Sequence, residues 1–171
     1  MKYPNQNKPL VVVRGAGDLA SGVAYRLFKC GLDVLMTEIS KPLVVRSTVS
    51  FARAVWEGTA IVEGVEARLA ENVEHALELL KDRVIPVLID PEGTVIKQLR
   101  PTVVVDAIMA KRNLGTTIND APLVIGLGPG FTAGMDVDVV IETCRGHRLG
   151  RAIYSGSALP DTGRPGSIDG H

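Results

Sequence analysis

A chain of 171 residues with 46% hydrophobic and 22% charged side chains is long enough for one α/β domain with a full core, and its composition argues against a disordered or fibrous protein. Lys plus Arg and Asp plus Glu both count 19, so no long-range field draws the chain to nucleic acid or to anionic lipid. Cys30 and Cys144 lie outside any CxxC pair, the start MKYPNQNKPL lacks the grammar of a signal peptide, and no apolar run reaches membrane-spanning length; a cytoplasmic protein is expected.

The first predicted element is a buried strand over Leu10 to Val13, because a short continuous β-branched run suits a parallel sheet covered on both faces. Leu19, Val23, Leu27 and Cys30 then recur at helical spacing up to Gly31, and Val34 to Glu38 resumes as a strand closing on an acid. This is a βαβ unit. Pro42 to Trp56 mixes β-branched residues with helical spacing at Val45, Val49, Ala52 and Val55, and a helix is the expected outcome.

Thr59 to Ala70 reads as a hairpin turning at Glu63 and Gly64, and Glu71 to Lys81 as an amphipathic helix burying Val73, Leu77 and Leu80. Val84 to Ile89 is a strand, followed by a turn at Asp90 to Gly93. Thr102 to Asp106 and Leu123 to Gly126 complete a set of about five parallel-type strands whose order the pattern does not reveal. Val137 to Thr143 and Arg151 to Gly156 bracket CRGHRLG and should pair antiparallel. The expected fold is a Rossmann-like, three-layer α/β domain over residues 9–156, with a mostly parallel sheet, an inserted β-hairpin and a C-terminal antiparallel hairpin. Residues 157–171 are expected to be loop or linker leading to a further region.

Gly15, Gly17 and Ala20 satisfy GxGxxG/A after a strand and at a helix start, with Ala16, Asp18 and Leu19 between them. In that setting the first glycine permits the turn, the second admits a pyrophosphate, and the small third residue lets helix and strand pack closely. The N–H groups of the first helical turn then face phosphate. Glu38 lies 21 residues after Gly17, where an acid accepts hydrogen bonds from ribose hydroxyls. Arg14 and Asp18 cut against an ordinary dinucleotide site. Asp18 has a second reading as a helix cap, and the whole turn one as a packing device.

Gly126 to Gly134, GLGPGFTAG, is a second glycine cluster after a strand. Gly128, Pro129 and Gly130 suit either an anion nest or a tight connection anchored by Phe131. With parallel strands, both glycine loops would face one crevice. Asp106, with Lys111, Arg112 and Asn113 soon after it, could complete a ligand site or form a solvated helix start. Cys144 and His147 supply half of a tetrahedral site at best and His75 lies on a helix, so no metal site is expected. GxSxG, GxxxxGK[ST] and HExxH are absent, and no catalytic residue stands out.

The blocks VVVRGAGDLASGVAYRL, TEISKPLVVRSTVSFARAVWEG, VDAIMAKRN and IGLGPGFTAGMDVDVVIETCRGHRLGRAI resemble the YqeB-type selenium-dependent molybdenum hydroxylase accessory proteins, related in role to xanthine dehydrogenase accessory factors. The resemblance implies a maturation factor that handles the cofactor of a molybdenum hydroxylase, its partner, and that continues past the GRPG segment. A molybdopterin dinucleotide and NAD(P) share the pyrophosphate and ribose that the glycine turn and Glu38 would recognise. An NAD(P)-dependent oxidoreductase and a non-catalytic assembly module with a vestigial nucleotide site remain the alternatives. A homo-oligomer is compatible with each.

Overall fold

A computed structural model of the protein describes residues 8–160. β1 (Leu10–Arg14), α1 (Asp18–Lys29) and β2 (Asp33–Glu38) form the expected opening unit. They are followed by α2 (Ala54–Glu57), β3 (Thr59–Val62), β4 (Val65–Ala70), α3 (Val73–Lys81), β5 (Ile85–Ile89), α4 (Thr94–Leu99), β6 (Val103–Asp106), β7 (Leu123–Leu127), β8 (Val139–Ile141) and β9 (Ala152–Ile153). The strands build one nine-stranded sheet in the order β3-β4-β5-β2-β1-β6-β7-β8-β9. From β4 to β8 every neighbouring pair is parallel, and antiparallel β3 and β9 close the two edges.

The order β5-β2-β1-β6-β7-β8 has the doubly wound arrangement 3-2-1-4-5-6. From β1 the chain turns one way to β2 and later returns to β6 on the other side. Parallel strands reversing direction in this manner open a crevice at their carboxyl ends.

Alternating residues of β1 feed both faces of the sheet. Val11 and Val13 join Val34, Met36 and Val105 beneath α1, α2 and the 3₁₀ turn Phe51–Arg53, while Leu10 and Val12 join Leu35, Val104 and Val124 beneath α3 and α4. This is the three-layer arrangement expected. α3 is capped by Asn72, whose Oδ1 accepts the His75 N–H at 2.8 Å. Leu77 and Leu80 are buried as expected, with Ala76 and Leu79 beside them.

Three expectations need correction. The fully buried positions of α1 are Ala20, Ser21 and Ala24, with Val23 and Leu27 partly buried against the same core, whereas Leu19 is 47% exposed and Cys30 is also exposed; small residues let the helix approach the sheet closely. Residues 42–56 are not one helix. They run through 3₁₀ turns at Ser47–Val49 and Phe51–Arg53 into the four residues of α2. The N–H groups a helix would use internally go elsewhere: Phe51 donates to Ser21 Oγ at 2.8 Å and Ala52 to the Ala16 carbonyl at 2.8 Å. Finally, the turn at Asp90 leads into α4, which the pattern did not announce. The Asp90 carboxylate accepts the N–H groups of Thr94 and Val95, so the acid caps the helix over Pro91 to Gly93.

β3 and β4 pair antiparallel as expected, and so do β8 and β9, over shorter spans than the sequence suggested. Residues 157–160 form no element, and the rest of the expected linker, 161–171, lies outside the described residues.

Candidate functional site

The turn after β1 is fixed by hydrogen bonds on every side. Gly15 N–H donates to the Thr37 carbonyl at 2.8 Å, and Ala16 N–H donates to Glu38 Oε2 at 2.8 Å. The Ala16 carbonyl accepts from Ser21 Oγ at 3.0 Å, Ser50 Oγ at 2.8 Å and the Ala52 N–H. Ser21 and Ser50 are fully buried, so the network is worth more than an exposed one. Sequence reasoning missed this use of the two serines, since neither lies in a motif.

The glycines divide by what surrounds them. A Cβ on Gly15, at φ +90°, would lie 3.0 Å from the Ala107 carbonyl oxygen and 3.1 Å from Ile108 Cα. Gly128 meets Thr143 Oγ1 and Met109 Cε, and Gly130 meets the Arg112 backbone at 2.7 Å. These three admit the loop after β6, which passes between the two glycine clusters. The second cluster, with half-buried Pro129, is therefore accounted for by a tight connection, and Phe131 packs over Gly126 as its anchor. Gly17 differs: the space above it is open, its nearest neighbour being Val44 Cγ1 at 3.8 Å. It starts α1 with no cap from its own side chain, leaving the first-turn N–H groups without an intrahelical carbonyl partner, that of Leu19 being taken by Asp18 Oδ1.

At the carboxyl ends of β1, β2, β5 and β6 lies a crevice of about 330 Å³, lined by Gly15, Glu38, Ile39, Pro91, Ile108 and Leu114. Its volume falls in the range of small-molecule sites, and apolar walls around a few polar groups are their usual make-up. Glu38 stands at the wall with Oε2 on Ala16 N–H and Oε1 on Ile39 N–H, both at 2.8 Å. Each oxygen keeps a lone pair for a further donor. Glu92 also lines the crevice, which adds negative potential. A larger groove of about 750 Å³ opens before β6 and β7, between Ile96, Arg100, Thr117 and Pro122. It sits at the opposite end of the sheet from the glycine turn.

The two residues that cut against a phosphate site have structural explanations. Asp18 pairs with Arg46 at 2.7 Å, so the acid at the helix start is neutralised and a guanidinium is drawn beside it. Leu19 N–H donates to Asp18 Oδ1 at 3.0 Å. Arg14 is 2% exposed and points into the protein, 3.5 Å from Asp106 Oδ2. It also donates to Thr116 Oγ1, which in turn donates to Asp106, and to the carbonyls of Pro91 and Leu114.

Arg14 thus ties together two walls of the crevice from beneath. Asp106 belongs to this buried clamp and not to the crevice lining, and its Oδ1 accepts Ile108 N–H at 3.1 Å, placing that residue in the wall. Lys111 and Arg112 are exposed in the following loop, where Lys111 has φ +60°. Asn113 folds the loop by accepting the N–H groups of Gly115 and Thr116. Among the described residues no three His, Cys, Asp or Glu side chains gather as a metal site, and no helix is long and apolar enough to cross a membrane.

Beyond β8, Glu142 is buried, and its two oxygens accept the N–H groups of Cys144 at 2.8 Å and Leu159 at 2.9 Å. Burial alone would raise its pKa. The hydrogen bonds from Leu159, Cys144 and Thr143 and the charge of Arg148 outweigh that and hold it below its ordinary value. A lowered folded-state pKa gives stability that is present above the ordinary value and lost as pH falls through the folded one. Denaturant midpoints measured between about pH 6 and about pH 3 should therefore fall more for the wild type than for Glu142→Gln; parallel pH profiles would show that the carboxylate contributes nothing.

The comparisons with known proteins point one way. The chain is 56% identical over 162 residues to the uncharacterized protein YqeB of Escherichia coli (strain K12). The alignment covers 95% of this chain, and the chain spans about 30% of the length of that relative. The YqeB-type resemblance therefore runs along nearly the whole chain, without a role attached to it. No protein-family profile and no solved structure matches.

Proposed function

We propose that the domain binds a nucleotide-containing cofactor in the carboxyl-end crevice, as part of a YqeB-type accessory protein in molybdenum hydroxylase maturation. The observation that carries the binding reading is the apolar crevice at the β1–β6 switch point with the Glu38 carboxylate in its wall; Gly17, with open space above it, does not line the crevice but follows Gly15 of its wall by two residues. A nucleoside fits against Ile39, Ile108 and Leu114 with its ribose hydroxyls on Glu38. Its phosphates then reach the first turn of α1, where N–H groups and the helix dipole favour negative charge and Arg46 offsets the charge of Asp18. Among the candidate ligands, a molybdopterin dinucleotide is favoured by the resemblance of the sequence blocks. That resemblance also supports a molybdenum hydroxylase as the partner.

An NAD-dependent oxidoreductase is the second reading, favoured by Glu38 at the end of β2. Glu38 and Glu92 together disfavour the 2′-phosphate of NADP. Among the described residues the ionisable groups of the crevice wall are these two carboxylates, one of them bonded to the turn, which gives hydride chemistry little support.

Equilibrium titration of the purified chain with NAD, NADP and a molybdopterin dinucleotide separates these readings. The dinucleotide of molybdopterin should bind saturably and tightest. Gly17→Val should weaken it by at least about tenfold, since a side chain then occupies the phosphate position. Its folding should be retained, because φ at Gly17 is −63° and the space is open. No saturable binding to a folded wild-type chain, or equal binding by Gly17→Val, would refute the proposal.

A further inference from the structure

The hairpin of β8 and β9 borders an open pocket of about 400 Å³ that plays no part in the crevice described above. Arg148, Arg151, Ile153, Tyr154, Ser155 and Ser157 line it, together with Glu142 and Leu159. The segment from Arg145 to Arg151 carries Arg145, His147, Arg148 and Arg151 and no acid, within a chain whose formal net charge is zero.

Among the described residues neither the Arg148 nor the Arg151 guanidinium has a carboxylate within ion-pair distance or an acceptor within hydrogen-bond distance. The single carboxylate in the wall, Glu142, has both oxygens bonded to backbone N–H groups. Two cations therefore line one cavity with guanidinium N–H groups that make no hydrogen bond among the described residues, although the Arg148 charge also acts on Glu142.

The cavity is also built. Glu142 pins Cys144 and Leu159, which flank the whole segment, and the Glu142 backbone pairs with Arg151 and Gly150 across the turn at 2.9 and 2.8 Å. Positive φ at Gly146 and Gly150 makes that turn possible. Arg148 and Arg151 line the cavity together with Ser155 and Ser157, and Ser157 Oγ lies 3.2 Å from Thr132 Oγ1.

We infer that this cavity is a second ligand site, for a small molecule carrying a phosphate group bound by Arg148 and Arg151 with the hydroxyls of Ser155 and Ser157. Two forked guanidinium groups and two hydroxyls supply more donors than a carboxylate can accept, and match a group with three or more charged oxygens. Ala152, Ile153 and Leu159 give an apolar wall for the remainder of the ligand. Tyr154, 74% exposed at the rim, offers a ring face to it. A concave site on a chain of zero formal net charge favours a small molecule over nucleic acid. The inference stands independently of the nucleotide proposal.

The test is an amide-resolved titration of the chain with pyrophosphate, alongside sodium chloride at matched ionic strength. Saturable shifts are expected at Arg148, Arg151, Ser155 and Ser157 with pyrophosphate only. The double variant Arg148→Ala/Arg151→Ala should weaken binding by at least about tenfold, as expected for loss of charge-assisted hydrogen bonds, while staying folded because both side chains are exposed, with a small fall in midpoint from loss of the Arg148 charge that acts on Glu142. Gly17→Val should leave these shifts unchanged, so failure here is distinguishable from failure in the crevice. Equal shifts with chloride, saturable shifts confined to the α1 turn, unaltered binding by the double variant, or tighter binding of a single-stranded oligonucleotide than of pyrophosphate would each overturn the inference.

Discussion

Replacing Asp106 by Ala is expected to cost about 3–5 kcal/mol of folding stability, the range for leaving one charge of a buried pair uncompensated. Arg14 and Asp106 are each 2% exposed. Without the carboxylate, the guanidinium stays buried with one hydroxyl and two carbonyls as its remaining partners, and Arg14 Nε already has no acceptor. Because one kcal/mol corresponds to about 2–4 °C in a domain of this size, the midpoint should fall by on the order of 10 °C. Thermal and denaturant unfolding give the check, and a loss under about 1 kcal/mol would mean that the pair is not the clamp it is taken for. Asp106→Asn keeps an acceptor for Thr116 and should lose less. Any nucleotide binding should weaken with Asp106→Ala even where the chain stays folded, since Arg14 holds Pro91 and Leu114 and Asp106 holds Ile108 at the crevice wall.

Gly15→Ala should be nearly as damaging, whereas Gly17→Ala should be mild. At Gly15 the substitution meets φ +90° and a Cβ position 3.0–3.2 Å from the Ala107 and Ile108 backbone, atoms that move only with the whole loop. Left-handed strain and overpacking together suggest about 2–4 kcal/mol. Gly17 has φ −63° and one side-chain neighbour at 3.8 Å, so a methyl group there costs folding little. Urea unfolding of the two variants side by side is decisive. Equal losses would show that the glycines of this turn are not divided between packing and ligand access.

These contrasts explain which features the sequence could announce. β1, α1 and β2 are predictable because a β-branched run, a glycine turn and a change to helical period are local signals, and both hairpins carry their own turn residues. Strand order is a matter of long-range pairing and leaves no local mark. The region 42–56 departs from the helix its periodicity predicts because its hydrogen bonds go to Ala16 and Ser21, a tertiary demand that overrides periodicity. The face of α1 was shifted because Ala and Ser rank low as hydrophobic markers although close packing against a sheet selects them.

At the site, the spacing of Gly15, Gly17, Ala20 and Glu38 was visible in sequence. Pro91, Ile108 and Leu114 come from distant loops and were not. Arg14 looked anomalous beside a glycine turn, and the anomaly resolves once Asp106 and Thr116 are seen to receive it in the interior. Arg46, paired with Asp18, is the residue that sequence reasoning passed over and the phosphate reading most needs; a basic residue 28 positions along the chain from Asp18 gives no spacing signal.

The most direct test of nucleotide binding in the crevice is a nuclear magnetic resonance titration of the chain with a molybdopterin dinucleotide, followed at backbone amides. Saturable shifts are predicted at Gly17, Asp18 and Leu19 and, at the same concentrations, at Ile39, Ile108 and Leu114. A folded chain whose amides at the α1 turn and the crevice stay unmoved through the titration would contradict the account.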